Sequence, residues 1–506
     1  MRSKPRAKAF GPGAPDRNWP GGIVGAMTNA SKSKPSDAVA PRMAAIVGPN
    51  HVLTGADMAA FLVEERGLYH GASPCVVQPG STAEIAAILT EASAQGWKIV
   101  PQGGNTGLVG GQIPSPAGDE IVLSLRRMTR VREIDVAANA MTVEAGVTLL
   151  RAQQTADGVD RLFPLSLAAE GSATMGGVLS TNAGGTAVLA YGGARDLVLG
   201  LEVVLADGRV MSTLSKLRKD NTGYDLKHLF MGAEGTLGVI AAATLKLFPK
   251  PRARATAFVA TPSPQAALAL LTCAQTHVGG DLKTFELMPR VGLEFVVRHA
   301  AGARDPFGAP HPWYVLMEIA STQPAPLEAV LEAILAEAME NGWASDAALA
   351  ASLDQRAAFW RLRENMSEMQ KHEGGSIKHD ISVPVSSVPA FLAKADAAVA
   401  RLAPGVRIVA FGHLGDGNIH YNLSQPEGPD KTGPAKAAFL ALWPQANALV
   451  HALAREFGGS ISAEHGIGAL KRDLLPGVKD QTALAVMRAI KAALDPKTIL
   501  NPGKVL

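Results

Sequence analysis

Glycine is spread unevenly along this chain. Residues 101–240 hold 21 of its 52 glycines. The surplus has no Gly-X-Y period, which excludes a collagen-like triple helix. It gathers instead into three runs. These are Pro101-Gln-Gly-Gly-Asn-Thr-Gly-Leu-Val-Gly-Gly111, Gly171-Ser-Ala-Thr-Met-Gly-Gly-Val-Leu-Ser-Thr-Asn-Ala-Gly-Gly185 and Gly232-Ala-Glu-Gly-Thr-Leu-Gly238. Glycine reaches φ > 0 without a Cβ clash, so consecutive N–H groups in such a run can converge on one point. A nest of that kind holds phosphate oxygens without basic side chains. None of the runs is a Walker A loop or a proper G-x-G-x-x-G fingerprint. A single run is as well explained by a tight turn. Three in one region, all lacking basic residues, favour backbone clamping of a diphosphate cofactor.

The rest of the composition narrows the class. Hydrophobic residues at 47% and charged residues at 18% of 506 allow a large core and exclude wholesale disorder. Two cysteines, Cys75 and Cys273, exclude a disulfide framework and a Cys-rich metal cluster, and fit a reducing compartment. A formal charge of +3 and 5% aromatics give no basis for nucleic-acid binding. No apolar run approaches the ~18 residues of a membrane span, so a soluble globular chain is expected. Residues 1–42 carry eight Lys/Arg against two acids and no Leu. They lack the apolar core of a secretory signal, and residues 1–44 are expected to be a disordered basic leader.

Hydrophobic periodicity predicts alternating strands and helices from residue 45. Strands are expected at 75–79, 97–101, 120–125, 131–136, 140–145, 198–205 and 236–248, with a helix over 82–95. Pro249-Lys-Pro251 marks a boundary. Beyond it, strands at 255–260, 313–320, 407–413 and 418–423 alternate with helices at 264–276, 326–341, 353–372, 388–400, 439–457 and 482–493. The predicted organisation is α+β, with one domain over 45–250, a second over 251–459 and a C-terminal segment over 460–506.

The PQGGNTGLVGG, GSATMGGVLSTNAGG, YGGARD and GAEGTLGVI stretches closely resemble the FAD-binding domain of the vanillyl-alcohol oxidase flavoproteins. The resemblance implies FAD, with contacts from Pro101, Gly103, Gly104, Asn105, Thr106, Gly107, Gly110, Gly171, Ser172, Gly176, Gly177, Ser180, Asn182, Gly184, Glu234, Ile240 and Asn501. Residues 101–111 contain no His or Cys, so the cofactor is expected to be non-covalent.

A second constellation lies in Ala410-Phe-Gly-His-Leu-Gly-Asp-Gly-Asn-Ile-His-Tyr-Asn422. Asp416-Gly417 is a favoured two-residue hairpin turn. With that loop, His413 sits directly opposite His420, at a separation suited to one shared metal. A third ligand is commonly a carboxylate, and Ser462-Ala-Glu-His-Gly-Ile-Gly468 offers Glu464 beside His465. One of that pair can bind metal while the other faces substrate. The HLGDGNIH and SAEHG stretches resemble FAD-linked D-2-hydroxyacid dehydrogenases, chiefly the D-2-hydroxyglutarate and D-lactate enzymes. That resemblance implies a divalent cation, Zn²⁺ with Mn²⁺ as alternative, on His413, His420 and Glu464, with His465 as base.

Arg363 and Ser367 are i, i+4 on a predicted helix and share a face. A guanidinium plus a hydroxyl suits a carboxylate. Lys378 follows eleven residues later. The family resemblance implies substrate contacts from Arg363, Ser367, Lys378, Asn422 and His465, with Ser367 standing where the family carries Thr. The implied reaction is oxidation of a D-2-hydroxy acid, D-2-hydroxyglutarate ahead of D-lactate. Its electrons would go to an acceptor such as electron-transfer flavoprotein, quinone or cytochrome. The competing readings are an oxidase, an ether-lipid synthase on the same fold, and a non-catalytic flavin subunit of a larger dehydrogenase. A bacterial cytoplasmic location is expected, with the mitochondrial matrix as alternative. A homodimer is the assembly considered.

Overall fold

The computed structural model describes residues 36–428 and 430–506. A first sheet orders its strands Val52–Leu53, Val76–Val77, Glu120–Ser124, Lys98–Gln102. The last three run parallel, and parallel neighbours need a crossover connection. Helix Thr82–Gln95 supplies part of it. Ser81 Oγ accepts from the Glu84 N–H, Glu84 accepts from the Gly80 N–H, and Gly96 ends the helix at φ 71°. Ile85, Ile88 and Leu89 on its inner face are fully buried.

A second, antiparallel sheet orders Val131–Asp135, Ala140–Glu144, Val239–Lys246, Val198–Val204, Val210–Ser212. The C-terminal chain returns to the first sheet, where Asn501 N–H donates to Ile99 O at 2.8 Å.

The third main sheet has eight antiparallel strands. Its order is Asp346–Leu349, Ala253–Thr261, Trp313–Ser321, Leu282–Pro289, Arg407–His413, Asn418–Ser424, Ser376–Ile377, with Asp380–Ser382 also on Asn418–Ser424. Period-2 alternation sends its side chains to two faces. Ala257, Val259, Phe285, Leu287, Ala410, Ile419 and Tyr421 pack into one core, under helices Pro264–Val278, Leu327–Glu340, Val388–Leu402 and Trp443–Glu456. Phe258, Ala260, Met288, Val409 and Phe411 face the other way, under helices Arg290–His299 and Leu353–Glu364. Glu286, His413, Asn418, His420 and Asn422 alternate onto this second face. The molecule is therefore α+β, as expected.

Three expectations fail. The predicted disordered leader ends too late, because Ser36–Val47 is a helix whose Val39, Met43 and Val47 are buried beside Ile85 and Leu89. The remainder of that leader, residues 1–35, lies outside the described residues. The single helix over 353–372 is broken into Leu353–Glu364, Met366–Met369 and a 3₁₀ turn, Gln370–Glu373. Asn365 Nδ2 donates to Arg361 O at 2.8 Å there, a local side-chain bond that competes with the helical ladder. The helix over 439–457 is likewise two, Pro434–Leu440 and Trp443–Glu456. Taken together they have the length and composition of a membrane span, but Ala446, Val450, Leu453 and Ala454 pack into the sheet core. Strand Leu282–Pro289 was not expected at all.

Candidate active site

The hairpin carrying the histidines forms in a different register from the one its turn signal suggests. His413 pairs with Asn418, and Phe411 with His420. His413–Asn418 is the last pair of the ladder, so the loop spans 414–417, with Leu414 packed into the apolar core. Asp416 Oδ1 accepts from the Asn418 N–H and Gly417 takes φ 82°. His413 and His420 are thus diagonal rather than directly opposite, yet on one face, with ring centroids 5.8 Å apart.

Loop 460–468 meets this face. One ligand atom from each of His413, His420 and Glu464 lies within 4.8 Å of the others. His465 stacks on His420 at 6.2 Å between centroids and 18° between planes. Two buried carboxylates unmarked by any sequence motif organise the cluster. Glu286 accepts from His413 Nδ1 at 2.6 Å and from Arg363 Nε at 2.7 Å. Asp380 Oδ2 accepts from the N–H groups of Glu464 and His465 at 3.0 and 2.9 Å, and lies 3.6 Å from His465 Nδ1. Its Oδ1 takes Asn418 Nδ2. A charged residue inside an otherwise apolar strand was the available signal for Glu286, and Asp380 sits two residues from Lys378.

The electrostatics suit a cation. Burial alone would push His413 down, but Glu286, with a smaller pull from Glu464, outweighs it and holds the ring at about 9. Burial pushes His420 down to about 3, so it is a neutral donor. With Nδ1–H on Glu286, the His413 Nε2 atom faces Glu464 Oε1 at 3.7 Å. Two imidazoles and a carboxylate, one ring braced by an outer carboxylate, fit a divalent ion. Asp380, His420 and His465 also bring ligand atoms together in the same cluster, whereas a third group, Cys273, His277 and Glu337, lies apart and differs. His277 and Glu337 pair at 2.8 Å, and burial holds the thiol up at about 11. It reads as a hydrogen-bonded His–Glu pair over a buried thiol.

The anchor residues divide. Arg363 is buried, stacks on Phe411 at 4.7 Å, and has a protein partner only at Nε among the described residues. Lys378 Nζ donates to Ser367 Oγ at 2.7 Å and to its carbonyl. Arg363 ends one helix, Leu353–Glu364, and Ser367 lies on the next, Met366–Met369. Asn422, buried, accepts from the His379 N–H at 3.3 Å. Arg361 is exposed.

The glycine runs face one another. A Cβ on Gly104 would lie 1.9 Å from Ser172 O, and one on Gly103 would lie 2.3 Å from Thr174 Oγ1. Asn105 takes φ 61°, with its Nδ2 on Ala60 O and Val63 O. Among the described residues, nothing accepts from the N–H groups of Gly104, Asn105, Thr106 and Gly107. Asn105 Oδ1 and Thr174 Oγ1 are buried without partners. Four consecutive free donors in a glycine loop fit a diphosphate. Gly185 N–H donates to Glu464 Oε1 at 2.7 Å, which ties the second run to the histidine cluster. Ser180 and Asn182 brace that run, bonding Gly176 O and the Arg195 N–H. Ile240 is buried in its strand. Glu234, expected at the cofactor, ties this region to the C-terminal chain. Its carboxylate accepts from Ile467 and Gly468 N–H, and Asn501 Nδ2 donates to its carbonyl and to Gly111 O.

Comparison with known proteins agrees. Residues 73–214 match the profile of the FAD binding domain, and residues 250–505 that of the FAD linked oxidases, C-terminal domain. The chain belongs to the FAD-linked oxidase family. It is an FAD-dependent dehydrogenase. It is 37% identical over 463 residues to a probable mitochondrial D-2-hydroxyglutarate dehydrogenase of Oryza sativa subsp. indica, covering 91% of this chain and 80% of that one. It is 38% identical over 430 residues to the D-2-hydroxyglutarate dehydrogenase of Xanthomonas citri pv. viticola, covering 85% and 88%. The Stutzerimonas stutzeri protein of the same name is 35% identical over 92% of this chain and 98% of its own. Substrate-bound p-cresol methylhydroxylase shares the fold of this dehydrogenase, with TM-score 0.72 and 16% identity over 93% of this chain and 96% of that one.

Proposed function

We propose that the dehydrogenase oxidises D-2-hydroxyglutarate to 2-oxoglutarate, with a divalent cation on His413, His420 and Glu464 and with non-covalent FAD. The observation that carries this reading is the single cluster joining those three side chains to His465 and, through Glu286, to Arg363. The names of the relatives support the substrate. FAD supplies a two-electron hydride acceptor, and the cation supplies Lewis acidity at a carboxylate and its neighbouring oxygen.

The chain's own residues do the rest. Arg363 offers its terminal nitrogens to one substrate carboxylate. Lys378 and Ser367 offer an ammonium and a hydroxyl to the other, which favours a dicarboxylate over lactate. Asp380 fixes the backbone at 464–465 and faces His465 Nδ1, leaving Nε2 to take the 2-hydroxyl proton. His465 would take the hydroxyl proton, and the C2 hydrogen would leave with its electron pair for the hydride acceptor that FAD would supply. Departing electrons go to an acceptor other than NAD, since no glycine run is a dinucleotide fingerprint.

A dye-coupled panel of D- and L-2-hydroxy acids, run before and after chelation and metal return, tests the reading. The expected result is highest kcat/KM with D-2-hydroxyglutarate, loss of activity on chelation and recovery with Zn²⁺ or Mn²⁺. Full turnover in protein shown to be metal-free by elemental analysis refutes the cation. A preference for D-lactate refutes the dicarboxylate.

A further inference from the structure

Glu286 is completely buried at mid-strand, and its two oxygens serve different masters. Oε1 holds His413 Nδ1 at 2.6 Å, and Oε2 holds Arg363 Nε at 2.7 Å. Strand pairing sets this up, because Glu286 lies directly across from His413 in the sheet. Arg363 arrives from the last turn of helix Leu353–Glu364, which covers the same face, and is clamped from its other side by the Phe411 ring. Neither Glu286 oxygen reaches the open part of the cluster.

We infer that Glu286 is a positioning residue that couples cation binding to substrate binding. This rests on the proposed cation and substrate roles of His413 and Arg363. The argument is one of donor geometry. An imidazole whose Nδ1–H is held by a carboxylate has one orientation, with Nε2 the atom turned to a cation that takes the place of its proton. A guanidinium held at Nε keeps both terminal nitrogens as a fork for a substrate carboxylate. One carboxylate imposes both arrangements. Electron density it gives to one partner is withdrawn from the other, so a change at the cation site is felt at the anchor. Binding free energies linked in this way are reciprocal.

Glu286→Gln is the test, because the amide keeps the shape and loses the charge. Three readouts are taken: FAD content, Zn²⁺ affinity by calorimetric titration, and KM against kcat for D-2-hydroxyglutarate. The expected result is wild-type FAD content, Zn²⁺ affinity down about 10–100-fold, and KM raised together with it. Arg363→Gln, which touches no proposed ligand, should raise Zn²⁺ affinity severalfold by leaving Glu286 wholly to His413. It also keeps the inference testable if Glu286→Gln does not fold. Wild-type protein without Zn²⁺ affinity sinks the cation reading and this coupling with it. Wild-type Zn²⁺ binding that both variants leave unchanged sinks the coupling alone.

Discussion

His465 is held at its backbone N–H by Asp380, which also lies 3.6 Å from its Nδ1, and its other ring nitrogen has no protein partner among the described residues. Replacing it with Ala should leave FAD bound and lower kcat about 10²–10⁴-fold, the usual worth of a positioned base. Flavin absorbance and steady-state kinetics check both halves, and wild-type turnover would remove His465 from the reaction. Lys378 gives a pH prediction. Burial pushes its ammonium down to about 8, with Lys371 and Arg66 adding to the shift. Its charge is therefore present below pH 8 and lost as pH rises through it. KM for a dicarboxylate should be flat below that pH and climb about tenfold per unit above it. Lys378→Arg keeps its charge and should move that rise out of range; a wild-type KM constant to pH 9.5 argues against Lys378 as an anchor. Residues that donate or accept chemistry announced themselves by type and spacing. Glu286 and Asp380 did not, because a carboxylate that acts by holding a His or an N–H carries no motif of its own.

At the scale of elements, the hairpin shows why an inexact reading can still find the right face. The expected register put His413 across from His420, and the observed one is shifted by two residues. An even slip preserves which side chains share a face, whereas a slip of one would have sent them to opposite faces. The helix over 353–372 had no such protection. Its break depends on Asn365 bonding its own backbone and on Met366 turning into the core, and periodicity alone smooths over both. The loop 101–111 was legible because its glycines are demanded by close approach. Gly104→Ala places a methyl carbon 1.9 Å from the Ser172 carbonyl oxygen, so one of the two facing loops must move. The expected outcome is a fold retained by far-UV circular dichroism with FAD affinity at least tenfold weaker, read as flavin absorbance per protein after desalting. Unchanged FAD content would mean the two loops do not form the cofactor cradle.

Across the whole molecule, loop 460–468 is gripped from two sides by carboxylates distant in sequence. Asp380, on the eight-stranded sheet, takes the N–H groups of Glu464 and His465. Glu234, just before the strand Val239–Lys246 of the second sheet, takes those of Ile467 and Gly468. Glu234 and Ile467 are 233 residues apart, a separation at which no local pattern survives, so the strap was invisible in the sequence although both its ends were singled out. Its geometry makes the proposed base and third cation ligand depend on both sheets at once. Burial pushes Glu234 up, and the two N–H bonds with Lys471 oppose that shift. Hydrogen bonds to a charged group contribute about 1.5–3 kcal/mol each, and Glu234→Ala removes two. That variant should unfold at lower urea concentration and lose kcat more than KM, because the side chains of 464 and 465 keep their identity while their spacing from the glycine runs loosens. Glu234→Gln retains one acceptor oxygen and should fall between the two. If both variants lose stability with kcat intact, the strap serves the fold alone, and the alignment of His465 with the flavin side must come from Asp380.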